Sequence, residues 1–172
     1  MDLMEKIRLV PDFPQKGVLF RDITTLLQDK DAFKEVIDIL YERYRGKGID
    51  KVVTIEARGY LFGGALAYRL GAGVVPIRKP QKLPWKTIRE EYELEYGRNI
   101  LEIHEDAIKK GEKVVIFDDV LATGGTALAA CKLCERLGGE IYEVAFLMEL
   151  KKLNGREKLK DYKVFAILED ER

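Results

Sequence analysis

The chain is 172 residues long, 47% apolar, and carries 30 Lys and Arg against 30 Asp and Glu. That length suits one domain, residues 1–172, around one core. The apolar content excludes a disordered chain, and a zero net charge argues against a nucleic-acid binder, which usually shows a basic excess. No apolar run approaches the roughly 18 residues of a membrane span. The first ten residues lack the apolar stretch of a signal peptide, so a cytoplasmic protein with no membrane attachment is expected.

In chain order, Asp31 is a good helix N-cap, and Phe33, Val36, Ile37, Leu40, Tyr41 and Tyr44 follow at helical spacing. Gly46 and Gly48 end that helix. Lys51–Ile55 reads as a buried strand, and Gly59–Leu70 as a helix stopped by Gly71. Gly73–Ile77 is another apolar strand. Arg78–Lys86, with two prolines and four cations, reads as an exposed loop. Glu90–Ile103 is mixed and acidic, suited to a ribbon of strands. Lys113–Phe117 is a strongly apolar strand. A helix opens at Gly124 or Gly125 and runs to Leu137, with Gly138 and Gly139 as its stop. Ile141–Leu150 and Val164–Leu168 are the last strands. Strands alternating with helices predict an α/β fold, a mostly parallel sheet flanked by helices. Ligands of such sheets sit at the carboxyl ends of the strands, near a reversal of strand order.

The most informative segment is Val114–Thr126, VVIFDDVLATGGT. Ala122, Thr123, Gly124, Gly125 and Thr126 have short side chains, so their backbone N–H groups can close around an anion. The helix that follows points its positive end at the same place. A phosphate monoester fits this nest, with the hydroxyls of Thr123 and Thr126 as further donors. Asp118 and Asp119, at the strand end, suit the vicinal hydroxyls of a ribose and can also help to hold a hydrated Mg²⁺. Together these features describe a ribose 5-phosphate site. A P-loop and a dinucleotide fingerprint are both excluded, because neither GK[ST] nor G-x-G-x-x-G is present.

This segment resembles the phosphoribosyl pyrophosphate (PRPP) signature of the type I phosphoribosyltransferases. The resemblance implies that the Glu56-Ala-Arg-Gly59 loop binds pyrophosphate through Ala57, Arg58 and Gly59. It also implies that Lys79, with Lys82 nearby, grips the departing anion. A lid over about residues 79–99 would exclude water from a ribosyl cation-like state, with Mg²⁺ carried by PRPP.

Further segments resemble the adenine phosphoribosyltransferase family in particular. They are Pro11–Ile23 (PDFPQKGVLFRDI), Ile55–Gly63 (IEARGYLFG), Pro76–Lys79 (PIRK), Glu93–Gly97 (ELEYG) with Leu101–His104 (LEIH), and Gly155–Lys158 (GREK). The likeness runs from about Pro11 to Leu159. It implies a hood over about residues 1–28 in which Phe20 stacks on the purine. The Leu19 C=O would accept from the exocyclic amine, the Arg21 N–H would donate to N1, and Val120 would cover the other ring face. Ala122 stands where hypoxanthine–guanine enzymes carry an Asp. Glu95 resembles the family's catalytic acid and would handle the purine proton, while Tyr96 would pair with pyrophosphate or ribose. The implied reaction joins adenine and PRPP into AMP and pyrophosphate, in a homodimer. Two rivals are the same transfer to another purine, and a PRPP-responsive regulator of the same fold; Ala122, the hood segment and the absent basic excess weigh against them. Cys131 and Cys134 read as buried core thiols, because no second pair is present to complete a zinc site. His104 reads as structural.

Overall fold

The computed structural model describes residues 1–93 and 97–172. They form two compact units, Met1–Leu40 and Tyr41–Arg172. In the first, a 3-10 turn over Leu3–Lys6 leads into β1 (Arg8–Pro11), which pairs antiparallel with β2 (Leu19–Asp22). Asp22 fixes the exit from β2. It accepts from the Thr24 hydroxyl at 2.6 Å, the Thr24 amide at 2.9 Å and Arg8 at 2.7 Å. These bonds, those from Thr24 foremost, hold its carboxyl down at about 2. Two helices follow, α1 (Thr24–Gln28) and α2 (Lys30–Tyr44). The side chain that caps α2 is Asp29, not Asp31: its carboxylate accepts from the amides of Asp31 and Ala32 at 3.0 and 3.1 Å. The helix therefore starts one residue before the expected cap.

In the second unit, β3 (Lys51–Ile55), α3 (Gly59–Leu70) and β4 (Gly73–Ile77) fall where the sequence pattern puts them. Gly71 ends α3 with φ of 71°, a left-handed conformation that favours glycine. Of the segment 79–99 expected as a flexible loop, Thr87–Glu93 is a strand, β5. It pairs antiparallel with β6 (Arg98–His104) through registers running from Thr87–His104 to Glu93–Arg98. β7 (Lys113–Leu121) runs four residues past the expected end at Phe117, because Asp118, Val120 and Leu121 continue the ladder opposite Phe146, Met148 and Glu149. Then come α4 (Gly125–Arg136), β8 (Glu140–Leu150) and β9 (Val164–Asp170).

β4, β3, β7, β8 and β9, in that spatial order, make a fully parallel sheet. Its strands are apolar on both faces because helices cover both. On one face Val53, Ile55, Val114, Ile116, Val144 and Phe146 pack with Ala127, Ala130, Cys131 and Cys134 of α4 and with Leu101 and Ile103 of β6. On the other, Phe62 of α3 lies 5.7 Å from Phe117, ring centre to ring centre. Gly63 lets α3 come this close, since a β-carbon there would meet the Thr54 side chain at 2.8 Å. After β3 the chain builds outward to β4, then returns to place β7 on β3's other side. The order reverses between β3 and β7, and both candidate anion loops leave the carboxyl ends of these two strands.

Candidate active site

The turn after β7 is held open as a cradle by glycines. Gly124 has φ of 92°, and a β-carbon on it would meet the Gly155 carbonyl oxygen at 2.5 Å. Gly155 is itself buried, and a β-carbon there would overlap the carbonyl oxygen of Ala122 and meet Leu121 Cδ1 at 2.8 Å. The two glycines thus let the 3-10 turn Gly155–Leu159 press directly on the backbone of residues 121–124. Above the turn lies a small open cavity, lined by Asp118, Val120, Ala122, Thr123, Gly124 and Thr126, together with Leu121, Ala127 and Phe146. Thr123 is exposed to it. Backbone N–H groups at the start of α4, two hydroxyls and a carboxylate therefore converge on one small space. That donor set suits a phosphate monoester with a polyol attached.

Strand alternation separates the two acids. Asp118 shares the cavity with Val120. Asp119 is buried and takes Arg58 Nε at 2.6 Å. The Asp119 amide donates to Asp118 Oδ1 at 2.9 Å, and the Val120 amide to Asp119 Oδ1 at 3.0 Å. Burial first, and the neighbouring Asp119 charge second, hold the Asp118 carboxyl well above the usual carboxylate range. A carboxyl in that condition is ready to exchange its costly isolation for hydroxyl donors or a cation.

The second anion loop, Glu56–Gly59, follows β3, with a cis peptide between Glu56 and Ala57. Ala57 and Arg58 are exposed, whereas Gly59 is buried, 3.3 Å from Asp118 Oδ1 at its would-be β-carbon. The Arg58–Asp119 pair therefore ties the proposed pyrophosphate loop to the proposed ribose carboxylates. Lys79 and Lys82 are exposed and have no ion pair among the described residues. Burial pushes the Tyr60 phenol up to about 12, and its hydroxyl donates to the Ile77 carbonyl at 2.7 Å.

In the N-terminal unit, Leu19, Phe20 and Arg21 sit together on β2. Phe20 stacks edge-on against Phe13 at 5.1 Å. Arg21 Nη1 donates to the Leu19 carbonyl at 2.8 Å, which has a second lone pair still to offer. Glu95 and Tyr96 lie outside the described residues.

Several contributors carry no mark of their own in the sequence. Gly155 stands out only within the Gly155–Lys158 segment that resembles the family. Tyr92, on β5, takes a hydrogen bond from the Thr126 hydroxyl at 3.1 Å, and its ring edge lies 3.1 Å from where a β-carbon on Gly125 would be. Lys158 Nζ is 3.9 Å from that same point. No local signal marks such residues, because their roles arise from contacts across the sheet. Cys131 and Cys134 are buried in α4, as expected; burial pushes the Cys131 thiol up to about 12 and Cys134 higher.

The phosphoribosyl transferase domain model matches residues 22–171. An adenine phosphoribosyltransferase of Desulfosudis oleivorans is 57% identical over 171 residues, 99% of each chain. The crystal structure of the enzyme from Thermoanaerobacter pseudethanolicus superposes with a TM-score of 0.95 at 50% identity, covering 98% of both chains. That of the Saccharomyces cerevisiae enzyme, complexed with adenine and an imino-altritol bisphosphate, gives 0.91 at 42% identity over 97% of each. With a family model over most of its length and identity of this order across 99% of a relative, the chain belongs to the adenine phosphoribosyltransferase family.

Proposed function

We propose that the chain transfers the 5-phosphoribosyl group of PRPP to N9 of adenine, giving AMP and pyrophosphate. The observation that carries this reading is the cradle at residues 122–126 with Asp118 beside it, opposite the Glu56–Gly59 loop across the β3–β7 switch point. The 5-phosphate takes the amides and hydroxyls of Ala122–Thr126. Asp118 and Asp119 accept from the ribose hydroxyls, and Ala57, Arg58, Gly59, Lys79, Lys82 and Tyr96 take the diphosphate. Adenine stacks on Phe20, with its amine on the Leu19 carbonyl and N1 on the Arg21 amide. A 6-oxo purine, protonated at N1, mispairs there; such mispairing rejects a competitor by roughly 10⁴-fold where a site is built around it.

At the reacting centre the N9–C1′ bond forms on the face opposite the departing group. The C1′–O bond breaks with its electron pair going to pyrophosphate, whose charge the Arg58 and Lys79 loops are placed to grip. Glu95 takes the proton that adenine gives up. Among the described residues no three His, Cys, Asp or Glu side chains cluster to hold a metal. Asp118 and Asp119 would help to hold a hydrated Mg²⁺ carried on PRPP. When bound, the ion supplies charge neutralisation for pyrophosphate.

The reading includes a cytoplasmic homodimer. Among the described residues no helix is long and apolar enough to cross a membrane. On α3, Leu61 and Tyr68, two turns apart, are 55% and 90% exposed, and Val74 on the edge strand β4 is 51% exposed. Exposed large apolar side chains of this kind support a self-association surface.

Turnover of adenine, hypoxanthine, guanine and xanthine with PRPP tests the reading. Adenine is expected to be the substrate; equal or better use of a 6-oxo purine would overturn it. Glu95→Gln is expected to keep PRPP binding and lose roughly 10²–10⁴ in kcat, and a near-normal kcat would remove Glu95 from the mechanism.

A further inference from the structure

The loop that carries Lys79 is gripped by two acids to which the reaction above gives no role. Glu56, at the end of β3, has a side chain only 15% exposed. Its Oε1 accepts from the Lys79 backbone amide at 2.7 Å and lies 3.4 Å from Arg78 Nε, a buried nitrogen without a hydrogen-bond partner. From the other side, Glu102 of β6 is 4% exposed. It exchanges both backbone bonds with Arg78, at 3.0 and 2.7 Å. Its carboxylate takes the Gln81 amide at 3.1 Å and Arg89 at 2.7 Å. Gln81 has φ of 65°, uncommon for a residue with a β-carbon, so the turn is held and not merely permitted. Within 78–81 the Lys79 and Gln81 amides are thus bound by two nearly buried carboxylates and the Arg78 amide by the Glu102 carbonyl, while the Lys79 side chain stands exposed.

We propose that Glu56 is a positioning residue for the pyrophosphate subsite: through the Lys79 amide it fixes the cation loop relative to Ala57–Gly59, with Glu102 as the opposite anchor. The same residue opens one anion loop and clamps the other, so the two halves of the subsite keep their spacing before any substrate arrives. Lysine is a long, flexible point charge, and a fixed backbone limits what its side chain must search. The inference rests on the proposed reaction and deepens it.

Two variants separate the hydrogen bond from the charge. Glu56→Gln keeps an acceptor at the same reach but removes the charge beside Arg78. Glu56→Asp keeps the charge but shortens the reach by about 1.5 Å. Forward kinetics with PRPP, reverse kinetics with pyrophosphate and binding of AMP alone are then compared. Glu56→Asp is expected to raise KM for PRPP and for pyrophosphate roughly tenfold or more, with AMP binding unchanged. Glu56→Gln is expected to restore most of the loss. If wild type makes no AMP, the reaction itself is misread. If wild type is active but Glu56→Asp shows unchanged KM values, or weakens AMP as much as pyrophosphate, the positioning role is wrong. Should Glu56→Asp not fold, amide exchange in wild type decides: the Lys79 amide is expected to be protected despite its exposed side chain, and free exchange there overturns the clamp.

Discussion

Replacing Gly155 by Ala adds one methyl group where the turn proposed to cradle the phosphate has no room for it. The new β-carbon would overlap the Ala122 carbonyl oxygen and meet Leu121 Cδ1 and Cγ at 2.8 and 3.1 Å. Leu121 is 1% exposed and cannot swing away, and the Ala122 oxygen is backbone. Either the Gly155–Leu159 turn must recede or the 122–124 backbone must move into the cavity. Overpacking of this kind costs about 1–3 kcal/mol. For a chain of this size each kcal/mol lowers Tm by about 2–4 °C, so a fall of about 2–12 °C is expected. A cradle displaced by tenths of an ångström also misplaces the sugar phosphate, and KM for PRPP should rise roughly tenfold, since even 1 Å of misplacement can cost about 10²-fold. Gly64→Ala in α3 is the matched control. Nothing lies within 4 Å of its would-be β-carbon, so it should gain about 0.5–1 kcal/mol from the helix preference alone and leave PRPP kinetics untouched. Thermal melts and PRPP titrations of both variants measure these effects. A Gly155→Ala protein with wild-type Tm and wild-type KM would refute the claim that this turn shapes the cradle.

Asp118 carries a pH signature. Its folded pKa is raised, by burial first, so the folded state loses stability as pH climbs from the ordinary carboxylate range towards the raised value. Asp118→Asn removes that cost; it should raise Tm at neutral pH, show little gain near about pH 3 where the group is protonated in both states, and weaken PRPP binding. An equal gain at both pH values would contradict the reasoning. Cys131 and Cys134, buried and with thiols pushed upward, should resist alkylation near neutral pH until the protein is unfolded; rapid labelling of the native protein would show that α4 opens.

The sheet and its helices were legible because β3, β4, β7, β8 and β9 are apolar runs bounded by turn residues, and such runs have few other fates. The cradle was legible because short side chains at 122–126 follow two acids in sequence. What was not legible lies in competition between similar local signals or in distant contact. Asp29 and Asp31 are both suitable caps, and only the geometry of α1 running into α2 gives the role to Asp29. Two acids look like a strand terminus and predict that β7 ends at Phe117, whereas pairing with β8 carries the strand to Leu121. Glu56 and Glu102 are two acids in a chain with 30. Their grip on Lys79 and Gln81 exists only once β3 and β6 bring them to opposite sides of one loop. Gly155 stands 33 residues beyond Ala122 in the chain, and no pattern short of the fold joins them.

The cradle can be watched directly by following the backbone amide resonances of the labelled protein as PRPP is added with Mg²⁺. The largest and earliest shifts should fall on Thr123, Gly124, Gly125 and Thr126, and ribose 5-phosphate alone should reproduce them. Saturation by PRPP with those four amides unmoved would mean that the sugar phosphate binds elsewhere.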